Sequence, residues 1–577
     1  MPQHPREGQG GRMGPVVMHT PDDLVRRFVR DGMRVHLTTT TGRPNALLYA
    51  MCRVFADRRS LTVSVASVHS SAHALALSGA VKHVTTCFLG DTYPLPRPCR
   101  LYSRLKEGIP FHAEVWSLLS HTQRLAAAAS RLPYAVTTSL VGSQLPFATG
   151  ESPPELTRLP GTPPALLVPA LKPDVTFLHG VLADRHGNIV LCPPYGEGPH
   201  AAYAASQGVI ATVERIVPDS VIAAMPEHVK VPGVKVIGLC EAPWGGHPQS
   251  LRCLRLAGLP DFYLDDYSFL AEISTACASP ETAQAWYHRW VRNPDGHLGY
   301  LRLLGQDRLH ALAGGSARPP AAGPPATPEE NPCTEQENLI ILAARGIVKL
   351  VRERGYDTIL AGVGSAHMAA WTAGELLARQ GIRTALLAEL GFYGTTPDSG
   401  DPFLFSQRHA DRSTMTAGIE QILGGVVGCS ERSLGVVGAV EIDSTGSVNT
   451  AFLPDGRWLT GPGGANDVGT KSDIVVVAKA SRKRYVPAVA HITTPGGRVQ
   501  AVFSQFGSFT RVTRKDPFTL ATWLPSCDDA DSGVEPRELT LAHTRWSPPT
   551  RPVQAEAAPT GEERAILASL DPEGLYR

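Results

Sequence analysis

One acid in this chain follows a buried-strand pattern and precedes glycines, which is a setting suited to a reactive carboxylate. Glu389 ends the apolar run TALLAE (384–389), and Gly391 comes two residues later. Glycine lets a ligand or another backbone segment approach closely. The ordinary alternative is a solvated acid at the end of a strand, so the surroundings of Glu389 decide between the two interpretations.

A β-α-β unit is predicted to position Glu389. The run DTILAG (357–362) has the pattern of a buried strand, and residues 365–380 repeat apolar side chains at helical spacing, with Ser365 as the N-cap. TALLAE is then the second strand. Because ligands of open α/β sheets bind at the carboxyl ends of the strands, Glu389 is expected at a ligand-binding edge.

Composition limits the classes of function. The chain has 577 residues and a formal net charge of +1, so no strong field attracts nucleic acid or an anionic membrane. No apolar run reaches the roughly 18 residues of a spanning helix, and the polar start lacks the apolar core of a secretory signal. We therefore expect a cytoplasmic protein without nucleic-acid or membrane partners. The ten cysteines form no CxxC pair, which predicts reduced thiols and no metal.

The distribution of proline, glycine and alanine predicts two folded halves, because the segment GGSARPPAAGPPATPEENP cannot pack a core. The length also favours several domains. The expected organisation is an arm at 1–18, a first half at 19–313, a linker at 314–332, a second half at 333–525, and a loop-rich tail with a terminal helix at 526–577.

The two halves contain similar strand-turn-strand segments. LADRHGNIVL (182–191) and VEIDSTGSVNT (440–450) share an acid, two intervening residues, a glycine, a polar residue and a β-branched residue. Similar elements flank both, which favours an internal duplication over the alternative that D-x-x-G turns are simply common. The predicted fold class is α/β, with two related open domains of mostly parallel strands and flanking helices.

A second glycine-rich loop, GPGGAND (461–467), completes a recognisable pattern. Glu389, this loop and the paired D-x-x-G segments together resemble the family I CoA-transferases, in particular the glutaconate CoA-transferase branch. The first half is similar to the α chain of such enzymes and the second half to the β chain, as if both were joined in one polypeptide. The resemblance implies the type I CoA-transferase fold for each half.

The resemblance also implies an activity. In that family a glutamate of the β chain attacks an acyl-CoA thioester and forms covalent intermediates, and Glu389 matches it. Acyl-CoA and a free carboxylic acid are the implied partners, the CoA thioester is a substrate, no cofactor is permanently bound, and the fused chain acts alone or as a homodimer. The residues expected to contact CoA are Gly362, Gly364, Gly391, Gly463, Gly464, Ala465 and Asn466.

Two features depart from the family pattern. Leu390 follows the glutamate where a small or polar residue is usual, and the loop TTTTGRPNAL (38–47) has threonines where many relatives have glycines. Because threonine side chains crowd a backbone that glycine would leave open, this loop affects how substrate and pantetheine are held. The basic run 482–484 is either a solvated loop or a contact for the 3′-phosphate of CoA.

Two alternatives stay open at this point. The first is an acyl-CoA hydrolase or a C–C hydrolase that uses water, because a neighbouring group with the same fold opens a ring in acyl-CoA substrates with a glutamate of the α-like chain. Glu114, at the head of a helix predicted over 114–132, is the candidate for that role. Because the helix dipole also favours an acid there, Glu114 has a purely structural explanation as well. The other alternative is a non-catalytic CoA-binding protein.

Overall fold

The structure is a computed structural model that describes residues 14–39, 42–93, 95–145, 154–158, 160–252, 262–313, 332–397, 399–525 and 535–577. The predicted linker, apart from Pro332, lies outside the described residues, as does most of the predicted arm. The proposed domain boundaries therefore stay a prediction at the linker.

The first half is built on a ten-stranded sheet whose central path is entirely parallel. Its order is β1-β13-β11-β9-β2-β3-β4-β5, and β10 and β12 extend it by antiparallel pairing. A separate sheet has the order β6-β8-β7. The strands are β1 Val16–Val17, β2 Arg34–Leu37, β3 Leu61–Val65, β4 Val81–Thr86, β5 His112–Val115, β6 Tyr134–Thr137, β7 Glu155–Thr157, β8 Ala165–Pro169, β9 Val175–Ala183, β10 Ile189–Val190, β11 Gly208–Ile216, β12 Val229–Val231 and β13 Val236–Glu241.

The second half has its own ten-stranded sheet, β17-β16-β15-β14-β18-β21-β23-β24-β25-β26, with five parallel strands at its centre. The pairing is antiparallel on both sides of this centre, and the edge strand β26 pairs parallel with β25. A three-stranded sheet, β20-β19-β22, accompanies it. The strands are β14 Thr358–Ala361, β15 Ala385–Ala388, β16 Phe392–Tyr393, β17 Met415–Thr416, β18 Ser433–Val437, β19 Glu441–Asp443, β20 Val448–Asn449, β21 Asp473–Val477, β22 Tyr485–Val486, β23 Val499–Ser504, β24 Gly507–Thr510, β25 Thr519–Trp523 and β26 Gln554–Ala555.

Helices pack on both sheets, so the predicted α/β class with mostly parallel sheets is confirmed. No described helix is both long and apolar enough to cross a lipid bilayer. The α-helices are Pro21–Phe28, Asn45–Val54, Ala74–Leu77, Leu118–Ala129, Gly198–Ala204, Asp219–Ala223, Tyr267–Ala276, Pro280–Tyr287, Gly296–Leu304, Gln306–Ala313, Glu335–Arg354, Ser365–Arg379, Val427–Cys429, Ala465–Lys471, Pro536–His543 and Gly561–Leu570.

The β-α-β unit around Glu389 forms as predicted, with one correction at the helix start. β14 and β15 are parallel neighbours, and the helix Ser365–Arg379 joins them. Gly364, rather than Ser365, is the N-cap residue, and its φ of +82° is a conformation that L side chains rarely adopt. The chain therefore needs a glycine to turn from the strand into this helix.

Described parts of the predicted arm and tail join the two sheet-bearing halves. Val16 and Val17, assigned to the arm, pair with β13 at one edge of the first sheet. In the tail, the helix Gly561–Leu570 forms with the predicted bounds and packs on the helix Glu335–Arg354. Arg345 and Glu563 form an ion pair there, with an Nε–Oε1 distance of 2.6 Å, so this part of the tail belongs to the second half.

The two halves share hydrophobic cores. Ala451 and Trp458 of the second half are buried in the core of the first half. In turn, Cys87, Leu118 and Leu119 of the first half pack in a core that is otherwise formed by the second half. The Trp458 indole N–H also donates to the Leu89 carbonyl at 3.1 Å. The contact between the halves is therefore built like a protein interior, and a cavity lies within it.

Candidate active site

Glu389 lies at the predicted position, directly after β15 and in the wall of a cavity of about 880 Å³. Its Oε2 accepts a hydrogen bond from the Gly464 backbone N–H at 3.0 Å. Burial and, to a smaller extent, the negative charge of Asp467 raise the pKa of the Glu389 carboxyl to about 7, against the opposing effect of the Gly464 hydrogen bond. The group is therefore poised to exchange its proton near neutral pH.

The glycine-rich loop brings its backbone against this carboxylate. A Cβ atom on Gly464 would lie 2.1 Å from Oε2 of Glu389, so only glycine fits there without moving the acid. Gly463 has a φ of +50°, donates its N–H to the Cys87 carbonyl at 3.1 Å and accepts the Leu118 N–H at 2.9 Å. Both partners belong to the first half, which therefore fixes the loop opposite Glu389.

Asp467 does not line the cavity, but its charge acts on Glu389, and the sequence prediction does not include it among the candidate residues. It is fully buried, and Oδ2 accepts the Leu119 N–H at 2.9 Å. Burial raises the pKa of this carboxyl, although hydrogen bonds from Leu119 and from Ser117 and Ser139 oppose the shift. Because Asp467 lies 78 residues from Glu389 along the chain, the sequence alone does not show that its charge acts on Glu389.

Three further predicted CoA contacts line the cavity, namely Gly362, Gly364 and Ala465. The amide of Gly362 is already used, since it donates to the Val436 carbonyl at 2.7 Å within the sheet. Gly364 lies at the start of a 15-residue helix, where backbone N–H groups lack intrahelical partners. The helix start, rather than Gly362, is thus the second source of donors facing the cavity.

Two predicted contacts lie outside the cavity lining, and each has a structural explanation. Gly391 has a φ of +139°, and a Cβ there would lie 2.4 Å from the Ala417 carbonyl, so the glycine admits protein backbone rather than a ligand. Asn466 is fully buried. Its Oδ1 accepts the Leu140 N–H at 2.8 Å, and its Nδ2 donates to the Thr493 carbonyl at 2.7 Å. Asn466 therefore ties the loop to both halves.

The prediction for Glu114 is wrong in its placement. The residue lies in β5, and the following helix begins only at Leu118, with Ser117 as its N-cap. Glu114 Oε1 lies 3.2 Å from Nη1 of Arg124, and Oε2 accepts a hydrogen bond from Thr85. Glu114 is also absent from the residues that line the cavity. The prediction starts the helix too early, because the amphipathic pattern extends N-terminally beyond Leu118 into residues that form a strand.

Cationic side chains in the cavity wall were largely missed by sequence reasoning. They come from four separate parts of the chain, so no local pattern marks the whole set. The sequence analysis offers only Arg484, in the basic run 482–484, as a contact for the 3′-phosphate of CoA. The cationic residues of the lining are Arg43, Arg97, Lys479, Arg484 and Arg577.

One cluster elsewhere contains metal-ligand residue types, although no metal was predicted. Ligand atoms of His73, Cys99 and Cys277, all buried, lie within 4.8 Å of one another. Both ring nitrogens of His73 already have partners, because Nδ1 lies 2.7 Å from the Tyr102 hydroxyl and Nε2 lies 3.1 Å from Asp91 Oδ1. The hydrogen bonds explain the histidine without a metal, and the predicted absence of metal stays a prediction.

Comparison with known proteins agrees with this geometry. Residues 18–241 match the family model described as Coenzyme A transferase. One chain of the 3-oxoadipate CoA-transferase from Pseudomonas knackmussii is 30% identical over 196 residues, which cover 33% of this chain and 65% of that protein. One chain of the glutaconate CoA-transferase from Acidaminococcus fermentans is 25% identical over 307 residues, covering 50% of this chain and 92% of the relative.

A solved structure extends the similarity to both halves. An acyl-CoA transferase from Escherichia coli O157:H7, crystallised as a thioester complex with CoA, superposes with a TM-score of 0.65 over 96% of this chain and 97% of the other, at 15% sequence identity. At this identity the similarity establishes the fold alone. The family match thus covers residues 18–241 of the first half, and the similarity of fold covers both halves.

Proposed function

We propose that this protein transfers CoA from an acyl-CoA to a free carboxylic acid, with Glu389 as the nucleophile. The observation that carries the proposal is the Glu389 carboxylate itself, held by the Gly464 amide in the wall of a cavity that both halves line. A carboxylate nucleophile conserves the energy of the thioester in covalent form and divides one difficult step into easier ones.

The reaction begins when the Glu389 carboxylate attacks the thioester carbonyl carbon. The C–S bond breaks, CoA leaves as a thiolate, and an acyl–glutamyl anhydride forms. The thiolate then attacks the glutamyl carbonyl and releases the first acid as a carboxylate, which leaves a glutamyl-CoA thioester. An acceptor carboxylate attacks this thioester and expels CoA as a thiolate. Attack of the thiolate on the acyl carbonyl of the second anhydride gives the new acyl-CoA and frees Glu389.

Groups in the cavity wall support these steps. The raised pKa of Glu389 reflects a desolvated carboxylate, which is a stronger nucleophile than a hydrated one. Negative charge develops on the carbonyl oxygen in each tetrahedral intermediate and needs preorganised donors. The Gly464 amide already donates to Glu389, so it can serve the intermediates formed at the glutamyl carbonyl. The helix start at Gly364 and Ser365 supplies donors in the cavity wall for those formed at the acyl carbonyl.

Chemical trapping tests the covalent role. The full chain is incubated with propionyl-CoA, treated with borohydride or hydroxylamine, digested and examined by peptide mass spectrometry. We expect reduction or a hydroxamate at Glu389, and no such product in Glu389→Gln, which keeps an acceptor for the Gly464 N–H. Turnover with Glu389 unmodified would overturn the proposal. Propionate formed without any carboxylate acceptor would instead indicate a hydrolase.

A further inference from the structure

The inner wall of the cavity holds a buried arginine that the proposed steps leave without a role. Nη2 of Arg43 donates to Ser67 Oγ at 3.1 Å and contacts His69 Nε2 at 2.6 Å. On the far side of the imidazole, His69 Nδ1 lies 3.1 Å from Thr92 Oγ1. Arg43, Ser67, His69 and Thr92 all line the cavity, and we call them the Arg43 wall.

Arg43 differs from the other cations of the cavity in its burial. The Arg43 residue is 8% exposed, whereas the side chains of Arg97 and Lys479 are about half exposed. Burial lowers the pKa of Arg43 to about 10, so its guanidinium is charged at neutral pH. Burial also lowers the pKa of Arg484, but that residue is only partly buried, so Arg43 is the most buried cation of the lining. Arg97 and Lys479 are the solvated cations.

The charge of Arg43 has no contacting counter-ion within the described part of the chain. Glu197 is the acid whose charge acts on it, but no ion pair within 4.0 Å joins the two. The Glu197 carboxylate is instead held by the N–H and hydroxyl of Thr39, each at 2.8 Å, and by His36. Because a buried unpaired charge is costly, this arrangement favours an anionic ligand beside Arg43.

We propose that the Arg43 wall binds the second carboxylate of a dicarboxylic substrate, an inference that rests on the proposed function of Glu389. One end of the acid would then react at Glu389 while the other pairs with the Arg43 guanidinium, whose planar fork suits a carboxylate. The same arrangement serves the acyl group of the donor and the acid of the acceptor. The phosphates of CoA, at the far end of its long pantetheine arm, fit the solvated cations instead.

Binding of two matched acids to the full chain tests this assignment directly. Glutarate and valerate have the same five-carbon chain and differ in one terminal carboxylate. We expect calorimetry to show about 10- to 100-fold tighter binding of glutarate. In Arg43→Met this preference should fall to within about threefold of unity, whereas Arg484→Met, at another cation of the cavity, should retain it.

A kinetic comparison separates this inference from the proposed function. The ratio of kcat/KM for glutaryl-CoA to that for valeryl-CoA should fall in parallel with the binding preference. Equal binding of the two acids by the native protein, or an unchanged preference in folded Arg43→Met, would overturn the inference. Should circular dichroism show that Arg43→Met is unfolded, Arg43→Lys and Ser67→Ala serve the same test, and an unchanged preference in both would overturn it.

The two proposals fail in different ways. Acylation of Glu389 with no preference for glutarate would leave the covalent role intact and remove the dicarboxylate assignment. A glutarate preference that depends on Arg43, without any modification of Glu389 during turnover, would support the dicarboxylate assignment and remove the covalent role.

Discussion

At the scale of single residues, the protonation of Glu389 sets when the site can react. Its pKa is raised to about 7 by burial and by the charge of Asp467. Only the ionised carboxylate is a nucleophile, so acylation by propionyl-CoA should be slow at pH 5, rise as the pH passes about 7, and level off above it. A pH–rate profile of the trapping reaction measures this directly.

Asp467→Asn provides the matched variant for this pH dependence. Asparagine keeps an oxygen that can accept the Leu119 N–H but removes the negative charge that raises the pKa of Glu389. The midpoint of the profile should therefore move to lower pH. An acylation rate that is flat from pH 5 to 9, or a midpoint that Asp467→Asn leaves in place, would contradict this account.

The same carboxylate should make the fold less stable at high pH. Because the folded-state pKa of Glu389 is raised from 4.5, its contribution is fully present below about pH 4.5 and is lost as the pH rises through about 7. The loss amounts to about 3 kcal/mol at pH 8. Glu389→Gln, which stays neutral, should therefore be more stable than the native protein at pH 8 by about 2 kcal/mol more than at pH 5.

Denaturant unfolding at both pH values measures that difference. A native protein whose stability relative to Glu389→Gln is the same at pH 5 and pH 8 would show that the Glu389 carboxyl is not desolvated in the fold.

At the scale of elements, the glycine-rich loop is fitted to the strand end that carries Glu389. A Cβ on Gly464 would meet Oε2 of Glu389 at 2.1 Å, while a Cβ on Gly497 would meet no atom within 4 Å. Gly464→Ala should therefore displace the carboxylate and lower the acylation rate at least 100-fold, in line with losses seen when a preorganised donor is removed. Gly497→Ala is the control and should change the rate less than twofold.

The rate of trapping at Glu389 and the thermal melting curve are measured for Gly464→Ala and Gly497→Ala, so that a loss of reactivity is distinguished from a loss of folding. A Gly464→Ala protein that folds and reacts at the native rate would show that the loop does not constrain Glu389.

Local patterns in the sequence were sufficient for the elements but not for their partners. The β-α-β unit, Glu389 at its second strand end and the glycine-rich loop all follow from short-range periodicity and glycine placement. Asn466 shows the limit, because its partners Leu140 and Thr493 are 326 and 27 residues away. Arg43 shows it too, since its burial against Ser67 and His69 depends on sheet order rather than on neighbours in the chain.

At the scale of the whole molecule, the D-x-x-G turns support the predicted relation between the halves. Asp184 Oδ1 accepts the backbone N–H of residues 186 and 188, and Asp443 Oδ1 accepts those of residues 445 and 447. The turn glycines, Gly187 and Gly446, have φ values of +85° and +88°. The following strands differ, because β10 joins the large sheet whereas β20 belongs to a small one. The turn chemistry is thus the same in both halves, while the sheets that the following strands join differ, and the duplication stays a prediction.

The two halves also depend on each other for the site. The loop facing Glu389 is held by backbone hydrogen bonds to the first half at Cys87 and Leu118, and Asp467 is held at Leu119. Leu89 N–H donates to the Thr460 carbonyl at 2.7 Å nearby. None of these contacts involves the predicted linker at 314–332, so the linker should be dispensable once the chain has folded.

Cleavage of the linker tests that expectation. A protease site inserted between residues 320 and 321 allows the folded protein to be cut, and the two fragments should elute together in size-exclusion chromatography because the halves share hydrophobic cores. The cut protein should keep at least half of the acylation rate at Glu389. The uncut protein with the same insertion is the control. Separation of the fragments under native conditions, or loss of acylation in a cut complex that stays together, would show that the linker itself holds the site in its reactive geometry.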